Sequence, residues 1–229
     1  MRLMLIDNDK SDKTAISRDY LLSTKERKEI IGSKNPTRIS EYITSRLASK
    51  LLLWEILKKP DLSPECMWVY GGSGQQPHLH AEGHDCTKHH LSISHSRGLV
   101  LVGINEKGPI GLDIEHISGH NWEDICKYMS WVYPKMSQNI TTETLCCCTW
   151  SIFEAGIKLF SGKVSQSSFH IHSFEIKTVN FPLCRKLFSF TAAFSESKFC
   201  GNGLIYDDWT LAVAIKYKED RAFIETQQV

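Results

Sequence analysis

At 229 residues, with 41% hydrophobic and 23% charged side chains, the chain has globular composition and enough length for a sizeable core, as one large domain or two small ones. Its 27 basic and 26 acidic residues leave a net charge of +1, which excludes a global field for nucleic acid or an anionic membrane and makes any anion binding local. The opening Met1-Arg2-Leu3-Met4-Leu5-Ile6-Asp7 turns acidic too soon for the apolar centre of a signal peptide, and no later run is long and uncharged enough to span a bilayer, so a cytoplasmic protein is expected.

In chain order, Ser23-Thr24-Lys25-Glu26 has capping-box spacing and predicts a short polar helix that Gly32 ends. Asn35 and Pro36 supply an N-cap and a first-turn proline for a longer helix. Its apolar residues Ile39, Ile43, Leu47, Leu51, Trp54 and Leu57 recur every three or four positions until Pro60. Three β-like runs follow, Met67–Tyr70, Leu91–Ser94 and Leu99–Ile104, the last two joined by His95-Ser96-Arg97-Gly98; Gly71 to His90 reads as loop. A second strong helix pattern spans Thr141 to Phe160 and stops at Gly162, before strand-like runs at Phe169–Ile176, Leu187–Phe194 and Trp209–Ile215.

A helix followed by three strands therefore occurs twice, at a shift of about a hundred residues, which predicts an α+β fold of two similar halves, 1–106 and 107–229, with a ligand cleft between them. The cysteines Cys66, Cys86, Cys126, Cys146, Cys147, Cys148, Cys184 and Cys200 form no Cys-x-x-Cys pair and read as reduced, mostly buried, small hydrophobes.

The chemistry concentrates in a few segments. In Pro109-Ile110-Gly111-Leu112-Asp113-Ile114-Glu115 the aliphatics alternate with Gly111, Asp113 and Glu115, so a strand would bury the former and aim both carboxylates the other way. Like charges roughly 7 Å apart repel, but they suit a hard divalent cation that takes oxygen ligands; an isolated motif of this kind is otherwise a solvated polar face. Trp150, Glu154 and Lys158, spaced four apart, share one stripe of the second long helix, where Glu154 and Lys158 alone would also make an ordinary helical ion pair. Leu91-Ser92-Ile93-Ser94-His95-Ser96-Arg97-Gly98 brings hydroxyls and an imidazole to a strand end, where they suit phosphate. Arg46 sits beside the apolar stripe of the first long helix, able to reach an anion or solvent.

In order and spacing, Arg46, Ser94-His95-Ser96, Gly111-Leu112-Asp113-Ile114-Glu115 and Trp150-Ser151-Ile152-Phe153-Glu154-Ala155-Gly156-Ile157-Lys158 closely resemble the motifs of the 4′-phosphopantetheinyl transferases, across most of the chain. The length resembles the long monomeric branch that activates peptide synthetases such as those making surfactin or enterobactin. The resemblance implies a pseudo-twofold pair of α+β halves with the active site in the cleft, and transfer of phosphopantetheine from coenzyme A to a serine of an acyl or peptidyl carrier protein. It implies Asp113, Glu115 and Glu154 as ligands of magnesium, with manganese as the alternative ion. Arg46, His95 and Lys158 would contact the phosphates of coenzyme A, with Ser94 or Ser96 at the 3′-phosphate, and Glu154 and Lys158 would be the catalytic pair. The sequence departs from the family pattern at Phe153, where a lysine usually precedes the helix glutamate, and at Gln75-Gln76-Pro77, in place of Gly-Lys-Pro.

Two other readings compete. His78, His80, His84, Cys86, His89 and His90 crowd one short segment with ligands suited to zinc or copper, though at no established zinc spacing. A paralogue that binds carrier protein or coenzyme A without transfer would keep the same fold. A Gly-x-x-x-x-Gly-Lys phosphate loop, a Gly-x-Ser-x-Gly elbow and a His-Glu-x-x-His pair are all absent from the sequence.

Overall fold

Local signals set the helices. In the computed structural model, which describes residues 1–8, 21–71, 76–118, 120–128, 140–180 and 184–217, Ser23 and Glu26 form a reciprocal capping box at the start of α1 (Thr24–Ile30). Asn35 caps α2 (Pro36–Leu57), accepting from Arg38 N, and Lys58 closes it in a left-handed conformation. Thr141 caps α4 (Thr142–Leu159) by accepting from Thr144 N. A short α3 (Trp122–Tyr128), not foreseen from the sequence, tucks Trp122 into the core. Gln75 and the side chains of Cys126 and Cys184 lie outside the described residues.

The strands form two antiparallel five-stranded sheets, so the chain is a mixed α+β protein. The first holds β1 (Arg2–Asp7), β2 (Met67–Tyr70), β3 (His78–Ala81), β4 (His90–Ser96) and β5 (Leu99–Asn105) in the order β1-β5-β4-β3-β2. The second holds β6 (Ile110–His116), β7 (Phe169–Asn180), β8 (Cys184–Phe194), β9 (Ser197–Tyr206) and β10 (Trp209–Lys216) in the order β6-β10-β9-β8-β7. The two sheets share one strand order, and each has its long helix inserted between its first and second strands. The repeat therefore extends beyond a helix and three strands to five strands per sheet.

Three of the added strands had been hidden by composition. β1 lacks strict alternation because it pairs with β5 at the sheet edge, turning Met4 and Ile6 to the core while Leu3 and Leu5 stay exposed. β3 lies inside the stretch read as loop, and it offers only four residues, two of them histidines. β9 contains Gly201 and Gly203, which look like a turn. Both are instead required by packing: a Cβ at Gly201 would stand 2.6 Å from the Phe190 ring, and one at Gly203 would overlap Phe188.

The buried face of α2 also differs from the expected stripe. Leu51 and Trp54 remain 47% and 38% exposed, whereas Ala48, Leu52 and Leu53 join the core with Ile43 buried beside them. Leu51 to Trp54 is an unbroken apolar run, so periodicity alone could not choose between its sides. The chosen side also carries Glu41, Ser45, Arg46, Ser49 and Lys50, all buried, which reads as polar in any hydropathy pattern.

Apart from the Nε of Arg46, these polar groups are paired. Lys50 Nζ lies 2.7 Å from Glu26 Oε2 and donates to Leu21 O at 2.9 Å. Glu26 in turn accepts from Ser23 N at 2.8 Å and from Val69 N at 3.0 Å, tying α1, α2 and β2 together. Burial lowers the Lys50 pKa, with the Glu26 carboxylate opposing. The cysteine expectation holds where it can be read: Cys66, Cys86, Cys146, Cys147, Cys148 and Cys200 form no disulfide among the described residues, and Cys86 and Cys146 to Cys148 are buried. No helix of the described residues is long and apolar enough to cross a membrane.

Breaking a buried pair leaves an uncompensated charge, so Glu26→Ala is expected to cost about 3–5 kcal/mol in chemical denaturation, against under about 1 kcal/mol for Arg2→Ala, whose pair with Glu55 is exposed. Equal costs would mean that Glu26 does not anchor the fold.

Candidate active site

The site grows from an unpaired strand edge. β6 pairs with β10 on one side only, so the Leu112 and Ile114 N–H groups on its other side need acceptors. β4 of the first sheet supplies them: Leu112 N donates to Ser92 Oγ at 3.0 Å and Ile114 N to Ser94 Oγ at 3.3 Å. Ile110, Leu112 and Ile114 then pack on Leu101 of β5, closing the seam between the sheets.

The opposite face of β6 carries Gly111, Asp113 and Glu115, as the alternation predicts, but it lies under α4 rather than open to solvent. Asp113 is 2% exposed. Gly111 makes this possible, because a Cβ there would overlap the Ala155 carbonyl oxygen of α4. The close approach aims Lys158 at β6, where its Nζ lies 2.7 Å from Asp113 Oδ1 and donates to Ser94 Oγ at 2.8 Å. Ser94 Oγ donates to the same Asp113 oxygen at 2.9 Å. One hydroxyl thus uses its single proton and both lone pairs, on Asp113, Ile114 N and Lys158.

Asp113 Oδ2 is buried with no hydrogen-bond partner among the described residues. Glu115 Oε2 accepts from Ser96 Oγ at 3.2 Å. Burial first, and the Asp113 charge second, push the Glu115 carboxyl up to about 7; the same two causes, in the same order, raise Glu154, against the pull of Lys158. Asp113, Glu115, Glu154 and Lys158 thus form one electrostatic cluster drawn from β6 and α4.

As the side chains stand, no group of three or more His, Cys, Asp or Glu among the described residues is arranged to hold a metal ion. The Lys158 ammonium sits on Asp113 Oδ1, beside the oxygen that has no partner. The donor set still fits a hard cation: three carboxylates against one lysine, oxygen ligands only, and a buried Asp113 oxygen left without a partner.

Arg46 and His95 are not part of this cluster. Arg46 stacks on Tyr42 at 4.2 Å from the ring centre and lies 3.7 Å from Glu29 Oε2, with its Nε buried and unpaired among the described residues. His95 points away from Ser94 and Ser96, its Nδ1 lying 3.1 Å from Glu41 Oε2. Glu41 was not foreseen, and a glutamate on a helix carries no sequence signal that it will be buried. Ser92 likewise shows its role only through the seam.

The two departures have structural partners. Phe153 is buried against Phe169 and Phe194 in the second-sheet core, so position 153 faces away from the cluster. Gln76 Oε1 accepts from Ser161 Oγ at 2.6 Å, just beyond the end of α4. In the histidine-rich segment, His80 stacks on Trp68 at 3.8 Å, His78 on Tyr70 at 5.3 Å, and His89 lies 3.9 Å from Glu106. These are aromatic and polar contacts, and the described residues form no metal group there.

No protein-family model matches this chain, and no curated protein matches it either.

Gly111→Ala is expected to lose about 1–3 kcal/mol in denaturant titration through overpacking of α4 on β6. Unchanged stability would contradict the close approach. The raised Glu115 pKa also has a signed consequence. A carboxyl that holds its proton more tightly when folded loses stability as pH rises, here between 4.5 and about 7. In metal-free buffer, thermal stability should fall across that window more steeply in the wild type than in Glu115→Gln; parallel profiles would assign the effect elsewhere.

Proposed function

We propose that this protein is a 4′-phosphopantetheinyl transferase, moving the phosphopantetheine arm of coenzyme A to a serine of an acyl or peptidyl carrier protein and releasing 3′,5′-ADP. The observation that carries the reading is the meeting of Ser94, Asp113 and Lys158, each within 2.9 Å of the others, from three segments far apart in sequence. They belong to the segments on which the resemblance to that family rests. The shared strand order of the two sheets, each with one long helix, is in keeping with a pseudo-twofold pair of halves and a site between them.

Asp113, Glu115 and Glu154 would hold the magnesium ion, with Asp113 Oδ2 as the ligand atom that lacks a protein partner. When bound, the ion neutralises charge that builds on the leaving phosphate. The remaining work falls to the chain's own groups. Lys158, with 30% of its side chain exposed, presents its ammonium to the pyrophosphate as a point charge, held in line by Ser94 and Asp113. The carrier serine oxygen forms its bond to the β-phosphorus as the bond to the oxygen of 3′,5′-ADP breaks, and the serine proton passes to Glu154, directly or through a water. With Phe153 in the core and Gln76 bound to Ser161, the phosphate contacts fall to Lys158, Arg46 and His95.

The test is intact mass measurement of an apo carrier protein incubated with this protein, coenzyme A and magnesium. A magnesium-dependent gain of one phosphopantetheine is expected, slowed about a hundredfold or more in Asp113→Asn and Glu154→Gln, which keep side-chain shape. Coenzyme A binding without transfer to any of several carriers would favour the binding-only paralogue, and full activity in either variant would remove the ligand assignment.

A further inference from the structure

We propose that Glu41 is a positioning residue for His95, accepting from Nδ1–H and holding the ring so that, with both nitrogens protonated in the complex, Nε2–H donates to a phosphate of the nucleotide substrate. The proposal rests on the coenzyme A reading above.

Glu41 lies on α2, and its side chain is 6% exposed, yet both carboxylate oxygens are used. Oε1 accepts from Gly98 N at 3.0 Å, and Oε2 lies 3.1 Å from His95 Nδ1. A carboxylate only accepts, so Nδ1 carries the proton and Nε2 is the free edge of a side chain that is 51% exposed. Arg97 and Gly98 both have positive φ, 43° and 86°, in the tight turn between β4 and β5. One glutamate therefore fixes both the turn backbone and the ring that precedes it.

Chemistry explains why the acceptor is charged. Capping one turn N–H requires only a neutral oxygen, and burying a carboxylate for that purpose costs more than it returns. A formal charge has its use toward an imidazole, because it fixes the tautomer and offsets the positive charge that the ring gains beside phosphate. Ser94 and Ser96, on either side of His95, point to the opposite face of β4, toward Asp113 and Glu115. His95 thus offers an anion position separate from the carboxylate cluster.

The experiment titrates 3′,5′-ADP calorimetrically into wild type, Glu41→Gln, His95→Ala and the double variant, and records long-range proton–nitrogen spectra of His95. Glutamine retains an oxygen for Gly98 N, so the turn survives while the carboxylate is lost. Expected are a wild-type ring protonated at Nδ1 when free and at both nitrogens in the 3′,5′-ADP complex, a ring protonated at Nε2 alone in Glu41→Gln, and affinity about tenfold weaker in each single variant, with no further loss in the double. Wild-type binding that Glu41→Gln leaves unchanged, losses that add in full, or a wild-type ring without a proton on Nδ1 would overturn this proposal alone. Failure of the wild type to bind 3′,5′-ADP would overturn the coenzyme A reading and this proposal with it.

Discussion

Edge strand β6 has two buried N–H groups that no strand backbone pairs among the described residues, and the hydroxyls of Ser92 and Ser94 take both. A buried donor left unpaired costs about 1–3 kcal/mol, so this seam sets the register in which β4 can lie along β6. Because Ser94 also donates to Asp113 and accepts from Lys158, the register that joins the sheets is the one that assembles the polar cluster. The contacts that join the sheets are therefore also contacts of the polar cluster. The small size of serine matters here, since β4 approaches β6 with only a hydroxyl between them.

The cluster is costly by itself. Three carboxylates share a partly desolvated space with one ammonium, and burial together with mutual repulsion raises Glu115 and Glu154. Such an arrangement runs against stability, and in the function proposed above a bound cation would offset it. The surrounding structure carries that load. α4 is anchored on the other side of its axis by Phe153, Ile152 and Cys146 to Cys148 in a core rich in phenylalanine, and Gly111 brings it close enough for Lys158 to reach β6.

α2 plays a comparable part for the first sheet, by different means. Its buried face mixes Leu52 and Leu53 with Glu41, Arg46 and Lys50, and the glutamate and lysine are spent on named partners: Gly98 N and His95, and Glu26. The helix thus fixes the orientation of the turn at the end of β4 and the placement of α1 at once. Aliphatic residues at those positions would hold the helix without specifying either.

What the sequence by itself determined is local. The caps at Ser23, Asn35 and Thr141 delimit three helices because each side chain satisfies backbone groups within three residues of itself. The alternation in Ile110 to Glu115 assigned β6 and the face of its carboxylates, since a strand's period is independent of its partners. Tertiary structure decided the rest. Whether Leu51 or Leu52 is buried, whether Glu41 meets solvent or His95, and whether Gly201 and Gly203 belong to a strand all depend on surfaces supplied from elsewhere in the chain. The same holds for Ser94, Asp113 and Lys158, because convergence across a sheet seam is a long-range property that no spacing within one segment encodes.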